Sequence, residues 1–231
     1  MKKTVVLFTG DKGGVGKSFT ARIFADLALK AQVEAHLYDT DKANATFKRF
    51  FNEQAQCIDV DTVEDLDHLL QEIHEKKGLF LVDCAARTLE AIQTWIDEVD
   101  FFSLKKELNL EMTLMFLLGP EKDCVQILSD VVKSFKNHVN YVVIKNESKG
   151  KNFSIYENSN LRKSLLDKYN VIELSLPALT EKTALVLDQK NFRFLDAEES
   201  PELQIADRQR VKSYNKKTAT LFEDVLTSCQ N

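Results

Sequence analysis

Gly10-Asp11-Lys12-Gly13-Gly14-Val15-Gly16-Lys17-Ser18 is the stretch from which the rest of the chain is read. Before it, Thr4-Val5-Val6-Leu7-Phe8 has the length and β-branched content of a buried strand, and after it the run from Phe19 to Leu29 reads as a helix. Strand, glycine loop and helix in that order frame a phosphate site. Gly13, Gly14 and Gly16 can take backbone angles closed to other residues, so consecutive N–H groups can turn inward around an anion at the positive end of the helix. Lys17 supplies a point charge for outer phosphates, and the Ser18 hydroxyl can ligate a magnesium ion. The plainer alternative is a glycine-rich turn with an exposed lysine, against which the strand-to-helix context speaks.

Working outward, the chain has 231 residues, of which 44% are hydrophobic, enough for one large α/β domain spanning residues 1–231. Seven glycines and three prolines are few, and no Pro- or Ser-rich linker divides the chain. No signal-like segment precedes the glycine loop and no apolar run approaches the ~20 residues of a membrane span, so a cytoplasmic protein without membrane insertion is expected. The four cysteines, at 57, 84, 124 and 229, share no metal-like spacing and read as buried or incidental thiols. A formal net charge of -5 gives no global attraction to nucleic acid, so such binding needs a local patch.

Further along, Val33 to Tyr38 alternates like a strand and ends at Asp39-Thr40-Asp41. Carboxylates at the carboxyl end of a strand are where an α/β sheet places its chemistry; capping of a turn is the other reading. Gly78-Leu79-Phe80-Leu81-Val82-Asp83 reads as a fully buried parallel strand with a carboxylate at its tip, an arrangement suited to a magnesium shell. Strands are also expected over 111–118, 140–146 and 171–176, the last stopped by Pro177, and helices over 63–77, 88–99, 123–135, 161–169 and from Pro201 to about Leu226. The segment 185–194 shows no assignable period. Alternating strands and helices, with at least six apolar strands, predict a parallel sheet flanked by helices on both faces, bringing the glycine loop, Asp39, Asp41, Asp83 and Asn146 to one edge.

One departure sharpens the glycine loop. The ordinary Walker pattern requires glycine where Asp11 stands, and Lys12 adds an early lysine. Lys12-Gly13-Gly14-Val15-Gly16-Lys17-Ser18 closely resembles the deviant Walker A signature of the ParA/MinD superfamily of ATPases. The resemblance implies ATP or ADP with Mg2+, nucleotide contacts from Asp11 through Phe19, and Lys12 reaching across a homodimer interface to the partner's nucleotide. It implies that Asp41 orients the attacking water, that Asp39 lies near the magnesium shell with Ser18 and Asp83, and that Lys17 and Lys12 act in catalysis. It also implies that Asn146 reads the adenine edge, with simple turn capping as the alternative, and that Pro177 and Ala178 line the base pocket. The chain departs from the family at Lys42-Ala43 and at Cys84-Ala85-Ala86-Arg87, where proline-containing switch sequences are common. Arg87 is read as a surface residue, with phosphate or partner contact as the alternative.

Arg208, Arg210, Lys212, Lys216 and Lys217 follow one another without an intervening acid in the last helix, and Arg208, Lys212 and Lys216 share a face. They form either a non-specific DNA-binding surface of the ParA kind or a solvated face balancing Asp196, Glu198, Glu199, Glu202 and Asp207. Within the superfamily the chain looks most similar to ATPases of plasmid mobilisation and conjugal transfer. The expected function is therefore an Mg-dependent ATPase, a slow dimerisation switch in plasmid mobilisation or partition, with a transfer or partition protein as partner. A nucleotide-dependent adaptor or inhibitor of a transfer or secretion apparatus, with little need for hydrolysis, is the alternative.

Overall fold

The computed structural model describes residues 2–10, 13–86 and 88–230, so Asp11, Lys12 and Arg87 lie outside the described residues. The first half comprises β1 (Lys3–Gly10), α1 (Lys17–Lys30), β2 (Ala35–Asp39), α2 (Thr46–Phe51), β3 (Ala55–Cys57), α3 (Val63–Glu75) and β4 (Gly78–Asp83). Then come α4 (Thr88–Glu98), α5 (Phe101–Leu108), β5 (Leu110–Leu118), α6 (Lys122–Phe135), β6 (Asn140–Asn146), α7 (Ser154–Glu157) and α8 (Asn160–Lys168). The chain closes with β7 (Ile172–Leu176), α9 (Glu181–Gln189), α10 (Phe194–Ala197) and α11 (Ile205–Gln230).

Among the described residues the strands form one seven-stranded sheet in the order β3-β2-β4-β1-β5-β6-β7. Every neighbouring pair is parallel. Parallel strands need crossovers, and the crossover helices cover both faces, as the alternating pattern predicts. Val5 and Leu7 of β1 face one core, shared with Leu66, Trp95, Leu128 and Leu165 from α3, α4, α6 and α8. Val6 and Phe8 face the other, shared with Phe24, Phe47, Leu187 and Phe222 from α1, α2, α9 and α11. Phe24 is fully buried and meets Phe8 and Phe222 edge-on, with ring centroids 5.9 and 5.7 Å away.

Three differences from the sequence expectation have local causes. β3 is three residues long and pairs only with β2, too short to show a period. The unassigned segment 185–194 is split between α9 and α10, joined through a turn in which Phe192 N–H donates to the Leu187 carbonyl. Pro201 does not open the last helix: Leu203 N–H bonds back to Ser200, and the helix starts at Ile205. Cys84, Cys124 and Cys229 are buried and Cys57 is exposed, with no disulfide among them.

Candidate functional site

β1 occupies the middle of the sheet, between β4 and β5; from its carboxyl end the chain crosses to β2 on one side, and from that of the adjacent β4 it crosses to β5 on the other. A crevice opens at such a reversal, and the glycine loop lies across it. Gly14 and Gly16 have φ of 81° and 108°, the left-handed region in which a side chain is strained. A Cβ on Gly16 would also collide with the Asn146 side-chain amide. α1 begins at Lys17 directly after the loop, so its unpaired N–H groups face the crevice. Lys17 is buried, and its charge acts on Asp83.

Asp83, at the tip of β4, is 3% exposed. Burial pushes its carboxyl up to about 7, helped by the charges of Asp39 and Asp41 and opposed by a hydrogen bond from Ser18 and by Lys17. Its Oδ1 is buried without a hydrogen-bond partner. A buried, unsatisfied carboxylate oxygen beside a serine hydroxyl fits a divalent cation. Magnesium needs only one or two protein oxygens when phosphates and waters complete its shell, and no cluster of three or more metal-binding side chains occurs among the described residues.

Asp39 is differently engaged. It is fully buried; its Oδ1 accepts from Asp41 N–H at 2.9 Å and its Oδ2 from Lys48 N–H at 2.9 Å. Its oxygens thus hold the first turn of α2, while burial raises its carboxyl above the usual aspartate range. The half-exposed Asp41 accepts from Asn44 N–H at 3.0 Å and from the Asn44 side-chain amide at 3.2 Å. Lys42, next to it, is ion-paired with Asp59. In this state the loop between β2 and α2 is closed on itself, and the Asp41 carboxylate is committed to a turn.

Asn146 ends β6 and is buried beside the glycine loop. Its Nδ2–H donates to the Val15 carbonyl at 2.8 Å, and its Oδ1 accepts from Ser148 N–H at 3.1 Å and Ser148 Oγ at 2.8 Å. A groove of about 740 Å³ runs past it, walled by Gly14, Gly16, Phe19, Ser148, Lys149, Pro177, Ala178, Thr180, Glu181 and Ala184. Asn146, Pro177 and Ala178, expected around a base, therefore share one groove with Phe19, expected among the nucleotide contacts, and the far wall of that groove is the start of α9. Sequence reading missed that wall, whereas it places the polar stretch 147–152, with Ser148, in a loop beside the nucleotide face.

α11 is tied to this wall. Tyr214 Oη donates to the Pro177 carbonyl at 3.1 Å, and Thr183 Oγ1 donates to Asp207 at 2.7 Å. Arg210 is exposed and pairs with Asp207 at 2.9 Å, while Lys212, Lys216 and Lys217 are exposed. Arg208 is half-buried, with its Nε enclosed and lacking a hydrogen-bond partner. The five cations divide: Arg210 and Lys217 line a second groove with Ala178–Thr180, and Arg208, Lys212 and Lys216 lie along another line of the helix. No helix among the described residues is long and apolar enough to cross a membrane.

No protein-family model matches the chain. It is 20% identical to Protein MobD of Acidithiobacillus ferrooxidans over 231 residues, covering 98% of this chain and 99% of that one. Of solved structures, the MinC:MinD cell division protein complex of Aquifex aeolicus matches with a TM-score of 0.53 at 15% identity, over 95% of this chain and 96% of that one. The septum site-determining protein MinD complexed with Mg-ADP, from Pyrococcus horikoshii, matches with a TM-score of 0.51 at 15% identity, over 94% and 96%. The chain has the fold of the MinD-like P-loop NTPases, and along its length it is similar to MobD.

Proposed function

We propose that this chain of MinD-like fold is an Mg2+-dependent ATPase, an ATP-driven dimerisation switch in plasmid DNA mobilisation or partition. One observation carries the reading: the buried, unpartnered Oδ1 of Asp83 lies beside Ser18, at the end of a glycine loop with left-handed Gly14 and Gly16. A magnesium ion held by Ser18 and Asp83 would neutralise phosphate charge. Lys17 and the α1 N-terminus bind the phosphates, and the groove past Asn146 takes the base. Asp41 turns from Asn44 to orient water, and Lys12 comes from a second copy to stabilise the transition state. The likeness to MobD supports plasmid mobilisation as the setting, and the exposed Lys212, Lys216 and Lys217 support a DNA contact.

A second reading, a nucleotide-dependent adaptor with little need for hydrolysis, is favoured by one feature, the commitment of the Asp41 carboxylate to Asn44. Turnover and solution mass with Mg-ATP, for the native chain, Asp41→Ala and Lys12→Ala, separate the readings. The switch expects an ATP-dependent dimer, trapped by Asp41→Ala, and slow hydrolysis that Lys12→Ala removes while nucleotide still binds. Native protein that neither hydrolyses ATP nor changes mass overturns it; a dimer without hydrolysis favours the adaptor.

A further inference from the structure

Thr40, between the two aspartates that end β2, is 6% exposed. The β2–β4 ladder stops one residue earlier, at Asp39 opposite Asp83. Past that rung the Thr40 side chain joins its backbone N–H in the pairing. Its Oγ1 accepts from Ala85 N–H at 2.8 Å, donates to the Asp83 carbonyl at 3.1 Å and lies 3.4 Å from Thr88 Oγ1. The same carbonyl accepts Thr40 N–H at 3.1 Å, and Thr88 Oγ1 donates to the Ala85 carbonyl at 3.0 Å. One hydroxyl has one proton and two lone pairs, and this arrangement uses the proton on one segment's strand end and a lone pair on its loop.

The two segments joined here carry different groups. Asp41 follows Thr40 directly, and Cys84-Ala85-Ala86 follows Asp83, whose Oδ1 faces the candidate cation site. Elsewhere the loop after β2 is held by the Asp39 carboxylate, by the exposed Lys42–Asp59 pair and by its own turn, none of which reaches the segment after Asp83. Thr40 also lines a small apolar cavity with Ile58 and Val82, which suits the methyl of a threonine.

We propose that Thr40 is a positioning residue that couples the Asp41 loop to the segment after Asp83, so that the two move as one when phosphate enters or leaves. The proposal rests on the nucleotide-hydrolase reading above. Displacement of Ala85 is transmitted through one buried hydroxyl to the backbone carrying Asp41, which sets where that carboxylate stands.

Thr40→Val keeps the side chain's size and removes the hydroxyl; Thr40→Ser keeps the hydroxyl. With Mg-ATP, Thr40→Val is expected to lower kcat about tenfold with KM unchanged, and Thr40→Ser to restore most of the loss. Hydrogen exchange of the nucleotide-free protein provides a readout independent of hydrolysis. Thr40→Val is expected to speed exchange at Lys42–Ala45 as well as at Ala85. Native kcat in Thr40→Val, or faster exchange confined to Ala85, overturns the coupling. A native chain that does not hydrolyse ATP overturns the hydrolase reading instead, and the exchange result still decides the role of Thr40.

Discussion

Asn146 and Val15 are 131 residues apart in the chain, yet the Asn146 Nδ2–H donates to the Val15 carbonyl across 2.8 Å. The end of β6 thereby clamps the glycine loop from beneath, in the space that the missing side chain of Gly16 leaves open.

If the clamp shapes the loop, Asn146→Ala leaves a buried carbonyl without its donor and lets the loop sample other conformations. Nucleotide affinity is expected to fall about tenfold, read by titration with a fluorescent ADP. Gly16→Ala, which puts a Cβ on the Asn146 amide at a φ of 108°, is expected to abolish binding. Native affinity in Asn146→Ala would show that the loop holds its shape unaided.

Asp83 makes stability depend on pH. Burial pushes its carboxyl up to about 7, whereas an unfolded aspartate titrates near ~3.9. The folded state binds that proton more tightly, so the favourable contribution is complete below the unfolded value and is lost as the pH rises through about 7. In EDTA, without nucleotide, Tm is expected to be lower at pH 8 than at pH 5. Asp26 and Asp39, also raised by burial, act in the same direction. Asp83→Asn removes the buried charge and is expected to raise stability at pH 8 by up to a few kcal/mol. An unchanged pH slope in that variant would assign the effect to other groups.

Phe24 joins α1 to both β1 and α11 through edge-on ring contacts. Phe24→Ala removes a fully buried ring from the middle of one core and is expected to cost ~3–5 kcal/mol in urea denaturation. A loss below about 1 kcal/mol would mean that the helices close over the gap.

On α11, Arg210 already has Asp207 as a partner, whereas Lys212 and Lys216 are exposed on one line of the helix. Replacing both with glutamate is expected to weaken binding to duplex DNA more than tenfold in low salt. It should also flatten the plot of log affinity against log salt by roughly 0.9 for each phosphate that is no longer neutralised. Affinity and slope equal to the native protein's would remove this face from DNA binding.

The glycine loop between strand and helix, the buried strands and the carboxylates at their tips were legible because each is written locally: glycine spacing, an apolar run, an acid at its end. The parallel sheet followed from strands alternating with helices. β3 and the start of α11 were not legible, the first because three edge residues carry no period, the second because Pro201 sits in a turn closed by Ser200 and Leu203.

By itself the sequence determined that a strand, a glycine loop and a helix follow one another, with Asp39, Asp83 and Asn146 at the ends of strands and Asp41 just past one. Only the tertiary structure decided what each polar group does there. Asp39 spends its oxygens on backbone N–H groups of Asp41 and Lys48, Asn146 spends its amide on Val15 and Ser148, and Asp83 keeps an oxygen without a partner. The physical reason is that hydrogen-bond partners are assigned by proximity in space. An aspartate or asparagine has the same side chain in the sequence whether its oxygens are satisfied or left facing a site.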